Sequence, residues 1–340
     1  MVGGLLALLA AVTFAFNNAS ARRGVLTGSI SQAMAITVPI GVPMFFIGAV
    51  LAGSLGAMLG FSGLQLLSLC VAGIIHFVFG RYCNYRATKA IGANLVGPLQ
   101  QTSLIITLAM AVLWLGEALT PLRLIGIILV VLGPMLTMRG DTEKRTHPLR
   151  ATDQAETPAE RVDTPPLKFE VRYAEGVVFA LLSAIGYGTS PALVRYGIPS
   201  HDVGIGLAAG VISYGAATAV MIPMLFVPGW LRHALAVEGE AAKWFTISGV
   251  MVCVSQMFLY MGYAVAPVSV VAPIQRLSMV FRLYFGYLIN PHHEVFGGKV
   301  YLGTVVSLVG ALALSVSTDV VLAHVPLPDW AAAIARWHWP

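Results

Sequence analysis

The sequence predicts an all-α integral membrane protein with ten transmembrane helices, arranged as two inverted five-helix repeats. Three observations predict it. First, the 340 residues are 57% hydrophobic and only 10% charged, with a mean hydropathy of +0.81. A soluble chain carries about a quarter charged residues. This chain has too few to cover its surface, so its solvent is lipid. Second, apolar runs of the roughly 20 residues that cross a hydrocarbon core recur along nearly the whole chain. Third, the chain repeats itself. At an offset of 175 residues Tyr260, Pro273, Gln275 and Ser278 fall on Tyr85, Pro98, Gln100 and Ser103. Past a short insertion, at 177, Glu294, Gly303 and Gly310 fall on Glu117, Gly126 and Gly133. Near the start of each half, at 172, Gly176, Leu181 and Arg195 fall on Gly4, Leu9 and Arg23. A repeat of this length decides the architecture before any single element does.

The elements follow in order. The first span, near 3–21, ends in Ala19-Ser20-Ala21, which resembles a signal-peptidase site. It lacks a basic start and matches the helix beginning near Gly176, so it reads as a span. Spans near 32–52 and 64–87 lead to a polar hinge. The fourth, near 92–114, contains Pro98 and closes at Leu115-Gly116-Glu117. The fifth, near 121–138, carries the spaced glycines Gly126 and Gly133. Residues 1–139 thus form one repeat. Residues 140–172 are polar, of mixed charge and hold four prolines, so they read as a solvated linker. The second repeat, 173–320, holds spans near 175–195, 203–227, 242–263, 268–289 and 298–319. Residues 321–340, with Trp330, Trp337 and Trp339, read as an interfacial tail. Five spans per half is odd, so the halves enter the membrane from opposite sides, as secondary transporters commonly arrange them.

Charge sets orientation rather than a polyanionic partner. The net charge is +5, but the basic residues are scattered among helix ends, so no nucleic acid is implied. Of 20 Lys and Arg, 16 fall on the linker's side of the membrane. The positive-inside rule then places the linker in the cytoplasm and both termini outside. Cys70, Cys83 and Cys253 lie in apolar runs without metal spacing and read as packing residues. Pro291-His292-His293-Glu294 lacks helical ligand spacing, so no metal and no other cofactor is expected. No nucleophile elbow, phosphate loop or dinucleotide fingerprint is present, which argues against an enzyme.

Certain residues carry a family resemblance. They are Ala87-Thr88-Lys89 before the fourth span, Pro98, Leu115-Gly116-Glu117, Gly126 and Gly133, with Pro273, Glu294, Gly303 and Gly310 in the second half. With the tandem five-helix unit they resemble the drug/metabolite transporter superfamily, and within it the EamA-like permeases. The resemblance implies a ten-helix carrier whose pathway is lined by the first, third and fourth helices of each half. Such permeases usually carry basic residues after the second helix and have cytoplasmic termini. Here that loop, AGSLGAMLGFSG, has none, and the second break reads Asn290-Pro291-His292-His293-Glu294.

Polar groups at membrane depth are the candidate site, because each costs several kcal/mol there and faces the bundle interior. Arg276 lies eight residues inside the ninth span, too deep to snorkel, and its planar fork suits a carboxylate or phosphate. Gln275 precedes it, and Gln100 and Gln101 follow Pro98, so a polar set flanks each helix-breaking proline. Asn17 and Asn18 match Thr189 and Ser190 across the repeat, and small polar groups at matched depth suit a pathway lining. Tyr260, the counterpart of Tyr85, joins the candidate set. Arg81 and Arg282 lie near helix ends and read as structural or snorkelling. His76 reads as a hydrogen-bonded interior residue rather than a proton carrier. Glu117 and Glu294, at matched breaks, suit the positive ends of the following helices, with coupling as the alternative role.

The expectation is a multi-pass inner-membrane permease or exporter, a monomer or homodimer, moving a small polar or anionic metabolite by alternating access. The alternatives are a multidrug exporter of lipophilic cations and a flippase for a lipid-linked phosphate. The first span has no acid to receive a cation.

Overall fold

The computed structural model describes residues 2–25, 27–91, 93–116, 120–138, 172–199, 202–289 and 328–337, with scattered positions between 302 and 313. All regular structure among these residues is helical. The first half holds α1 (Val2–Val25), α2 (Ile30–Thr37), α3 (Gly41–Leu51), α4 (Gly63–Gly73), a π-helical segment (Ile74–Gly80), α5 (Arg81–Ile91), α6 (Ala93–Leu113) and α7 (Pro121–Met138). The second holds α8 (Tyr173–Gly197), α9 (Val203–Met221), α10 (Trp230–Leu235), α11 (Gly239–Val265), α12 (Val268–Gln275) and α13 (Ser278–Ile289). A terminal helix, α14 (Asp329–Arg336), follows. Among the described residues, six stretches are long and apolar enough to cross a membrane: 2–25, 30–51, 63–87, 174–197, 203–226 and 239–265. Shorter apolar helices cover 102–113 and 121–133.

Local chemistry explains where the spans bend. The stretch expected at 32–52 is two helices. Ser29 and Gln32 form a reciprocal cap that starts α2. Pro39, which has no N–H to donate, follows its end at Thr37. The stretch near 64–87 opens into the wide π segment and runs on to Ile91. The expected span at 268–289 also divides. Pro273 cannot donate, the Arg276 N–H turns back to the Pro273 carbonyl (3.0 Å), and α12 ends at Gln275. Pro98 leaves α6 unbroken. The short α10, which no periodicity announces, docks on the start of α2. There Gln32 Nε2 donates to the His233 carbonyl (2.9 Å), and the His233 ring meets Ser29 Oγ (2.9 Å).

The halves pack through each other. α1 lies chiefly against α11, with α12 and α13 beside it, while α8 lies against α4, α5 and α6, and α3 packs on α9. Small residues make these approaches possible, as membrane helices require. Ala7, Ala10, Ala11 and Ala15 of α1 are all fully buried. A Cβ on Gly73 would stand 2.0 Å from the Ser213 carbonyl oxygen of α9, so only glycine fits that crossing. Gly188 of α8 meets α6 in the same way, 2.7 Å from the Ser103 carbonyl oxygen. Ion pairs tie the linker end: Glu175 of α8 meets Arg86 of α5 (2.7 Å) and Arg172 (2.8 Å).

Candidate functional site

The π segment places His76 where the halves meet. Its Nδ1 is 2.6 Å from Ser190 Oγ on α8, and its Nε2 is 3.3 Å from the Gln256 amide nitrogen on α11. The ring lies against Tyr187, with centroids 4.7 Å apart. The close approach is set by two glycines: Gly186 of α8 would carry a Cβ 3.2 Å from the Gly80 Cα.

Arg81 follows at the head of α5 and is 4% exposed. Its Nη1 donates to the Thr37 carbonyl (3.3 Å) and hydroxyl (3.2 Å). Thr37 ends α2, so its carbonyl is one that the helix leaves unsatisfied. The guanidinium also lies 5.5 Å from the Phe77 ring centroid, and Phe77 stacks on Tyr214 at 3.8 Å. Of the two roles expected for Arg81, structural or snorkelling, these bonds fit the structural one. α5 continues beyond it, and the side chain turns inward to a helix end that the sequence did not reveal.

Arg276 caps the break between α12 and α13. Its Nη2 donates to Ser103 Oγ of α6 (2.7 Å), and that hydroxyl donates to its own helix at the Gln100 carbonyl (2.6 Å). The Arg276 Nε is buried and has no partner. One layer away, Gln100 Nε2 donates to Asn84 Oδ1 (2.7 Å) and Ser183 Oγ (3.1 Å). Together these residues come from the segment α4–α6 and from α8, α11 and α12.

The remaining candidates separate. Ser190 belongs to the cluster. Asn17 Oδ1 accepts from Ser248 Oγ (2.6 Å), which joins α1 to α11. Asn18 is half-buried on α1, and Gln275 is half-buried at the end of α12. Gln101 lies on α6, but its side chain is outside the described residues. Tyr260 is 2% exposed and packs on Phe45 (5.5 Å), beside Tyr214 rather than His76. Thr189 donates to the Ile185 carbonyl of its own helix. Arg282 is half-buried on α13. Glu117 and Glu294 lie outside the described residues. Among the described residues no group could hold a metal ion. The sequence reading missed Asn84, Ser183, Tyr187 and Gln256. Gln256 had a usable signal: it stands at the 175-residue offset from Arg81, inside an otherwise apolar run.

The electrostatic balance is one-sided. The five described acids are Glu175, Asp202, Glu238, Glu240 and Asp329, and each sits at the start of a helix. None pairs with Arg81 or Arg276. Two guanidinium groups therefore share the interior with His76, and no described carboxylate offsets them.

The sequence matches the EamA-like transporter family over residues 1–139 and 174–316. The chain belongs to this family of transporters. The EamA match passes over the polar linker and covers both halves, so the protein is a multi-pass membrane transporter. One solved structure, described only as "Crystal structure of protein", is similar in fold to this EamA-like chain. It has a TM-score of 0.61 and 16% identity over 92% of this chain and 94% of its own. No curated protein matches the chain.

Proposed function

We propose that the chain is a secondary carrier of the inner membrane that moves a small polar or anionic metabolite between two inverted five-helix halves. Arg276 receives the substrate's negative group. The observation that carries this reading is the buried, unpartnered Nε of Arg276, on a guanidinium that no described acid neutralises. A guanidinium presents parallel N–H groups to a carboxylate, phosphate or sulfonate. Nη2 is already oriented by Ser103, so the fork is held in place before a ligand arrives. The break between α12 and α13 puts this fork where a helix is interrupted, as substrate sites of such carriers are built. A lipophilic cation would meet a positive interior with no counter-charge from the described residues.

Thermal-shift measurements on the purified protein test this. Carboxylates, phosphates and sulfonates should stabilise it, quaternary ammonium ions should not, and Arg276→Ala should abolish the anion response while folding normally. Arg276→Lys should keep part of the response, because the charge remains and the fork is lost. A response to lipid-linked phosphates alone would favour the flippase. An alanine variant that responds like the wild type would remove Arg276 from the site.

A further inference from the structure

We propose that His76 carries the proton that accompanies the anion, so that one proton and one anion bind together. This rests on the anion site at Arg276 and names its coupling ion.

The geometry around the imidazole carries the argument. A partner that can only donate, such as a backbone N–H aimed at a ring nitrogen, would restrict the imidazole to its neutral form. Both partners of His76 can change sides. The Ser190 hydroxyl can accept from Nδ1 or donate to it. The Gln256 amide presents its nitrogen to Nε2, and a half-turn of that amide presents its oxygen instead. A proton can therefore add to the ring nitrogen facing Gln256 and find an acceptor there. The sequence alone favours an interior hydrogen-bonded residue over a proton carrier here; the exchangeable partners favour the carrier.

The charges near the ring supply the coupling: the Arg81 guanidinium lies 5.5 Å from the Phe77 ring centroid, and that ring is 4.9 Å from the imidazole. Arg81 comes from the segment that carries His76, and Arg276 from the α12 break. Tyr187 lies on the ring from α8. Farther out, Tyr214 and Cys253 stand beside Arg81, and Tyr263 stands beside Arg276. These last groups and Tyr187 are neutral in their ordinary states. A third positive charge among two guanidinium groups is costly while the site is empty. An anion on Arg276 offsets that charge, and a protonated His76 in turn holds the anion. Coupling between two binding events is reciprocal.

The position also ties the proton to the motion. His76 belongs to the first half, while Ser190 and Gln256 both belong to the second. Any displacement of the halves changes both contacts to the ring. The surrounding helix is a π segment, a geometry that recurs at functional sites.

The test uses probes whose own charge is constant between about pH 5.5 and 8.5: sulfate, methanesulfonate and benzenesulfonate. Affinity is read from thermal shifts of the purified full chain, and proton uptake from an indicator dye in weak buffer. For the wild type, affinity for a sulfonate that binds should rise by up to ~10-fold per pH unit as pH falls, with proton uptake on binding. His76→Gln should bind the same probe with no pH dependence and no uptake. If the wild type binds without pH dependence and without uptake, the proton role is overturned while the anion site stands. If the His76→Gln variant keeps the pH dependence, another group carries the proton and the inference is wrong. If no probe binds the wild type, the anion reading fails and this inference fails with it. Should His76→Gln not fold, His76→Asn, which also hydrogen-bonds without titrating, takes its place with the same two outcomes.

Discussion

Asn18 and Ser190 occupy matched positions in the repeat, yet Ser190 meets an imidazole and Asn18 does not. A sequence shows that a polar residue lies inside an apolar run, and this made Arg276, Gln100 and Ser190 visible. It does not show which way a helix is turned, and this separated Asn17 from them. Asn17→Ala should remove the bond to Ser248 at a cost of about 0.6 kcal/mol, typical of membrane interhelical hydrogen bonds. The melting temperature should fall slightly and anion affinity should not change. A loss of affinity in a well-folded Asn17→Ala protein would move Asn17 into the pathway. Ser103→Ala should lower anion affinity. Its hydroxyl orients Arg276, and hydrogen bonds to charged groups contribute about 1.5 kcal/mol or more, so affinity should fall roughly 10-fold. Stability should fall by about 1–3 kcal/mol as well, because Arg276 Nη2 is left buried without its acceptor. Ser103→Ala binding anions like the wild type would mean that Arg276 is positioned by other contacts.

At the scale of elements, six of the ten expected spans coincide with helices long and apolar enough to cross a membrane among the described residues, and α7 matches its expected bounds of 121–138. The breaks were harder. Pro98 and Pro273 carry the same sequence signal, but only the second accompanies an interruption. A proline removes one hydrogen bond, and packing decides whether the helix continues without it. The π segment left no trace in composition, since it arises where Gly80 and Gly186 let two backbones meet. The crossing at Gly73 gives a direct test. Gly73→Ala must push the Ser213 backbone aside, and overpacking of this kind costs about 1–3 kcal/mol. Gly215, also on a helix, has nothing within 4 Å of an added Cβ. Gly73→Ala should therefore lower the melting temperature and the folded yield, while Gly215→Ala should not. Equal melting temperatures would mean that α4 and α9 do not cross at Gly73.

For the whole molecule, the packing mirrors the repeat. The opening helix of each half lies against the third and fourth elements of the other: α1 on α11 to α13, and α8 on α4 to α6. Each arginine of the cluster has a glutamine as its counterpart at the 175-residue offset, Arg81 with Gln256 and Arg276 with Gln101. Arg81 and Gln256 approach His76 from the two halves, which suits residues near the axis relating inverted repeats. The repeat relates the halves to each other but not to the membrane. The membrane side is predicted through charge, because orientation follows the basic residues near span ends. Arg22 and Arg23 close α1, and the linker carries Lys144, Arg145, Arg150, Arg161 and Lys168 on the same side. We predict a cytoplasmic linker and external termini. Among the native thiols Cys83 and Cys253 are buried, so replacing half-buried Cys70 leaves little background for labelling. A cysteine at Gln154 should then escape a membrane-impermeant maleimide in intact cells and react in inverted vesicles. A cysteine at Val2, exposed at the head of α1, should behave in the opposite way. Labelling of the linker position in intact cells would reverse the orientation and give the termini the cytoplasmic placement usual among similar permeases. The two halves would keep their relation to each other, and the Arg276 site would simply face the other compartment first.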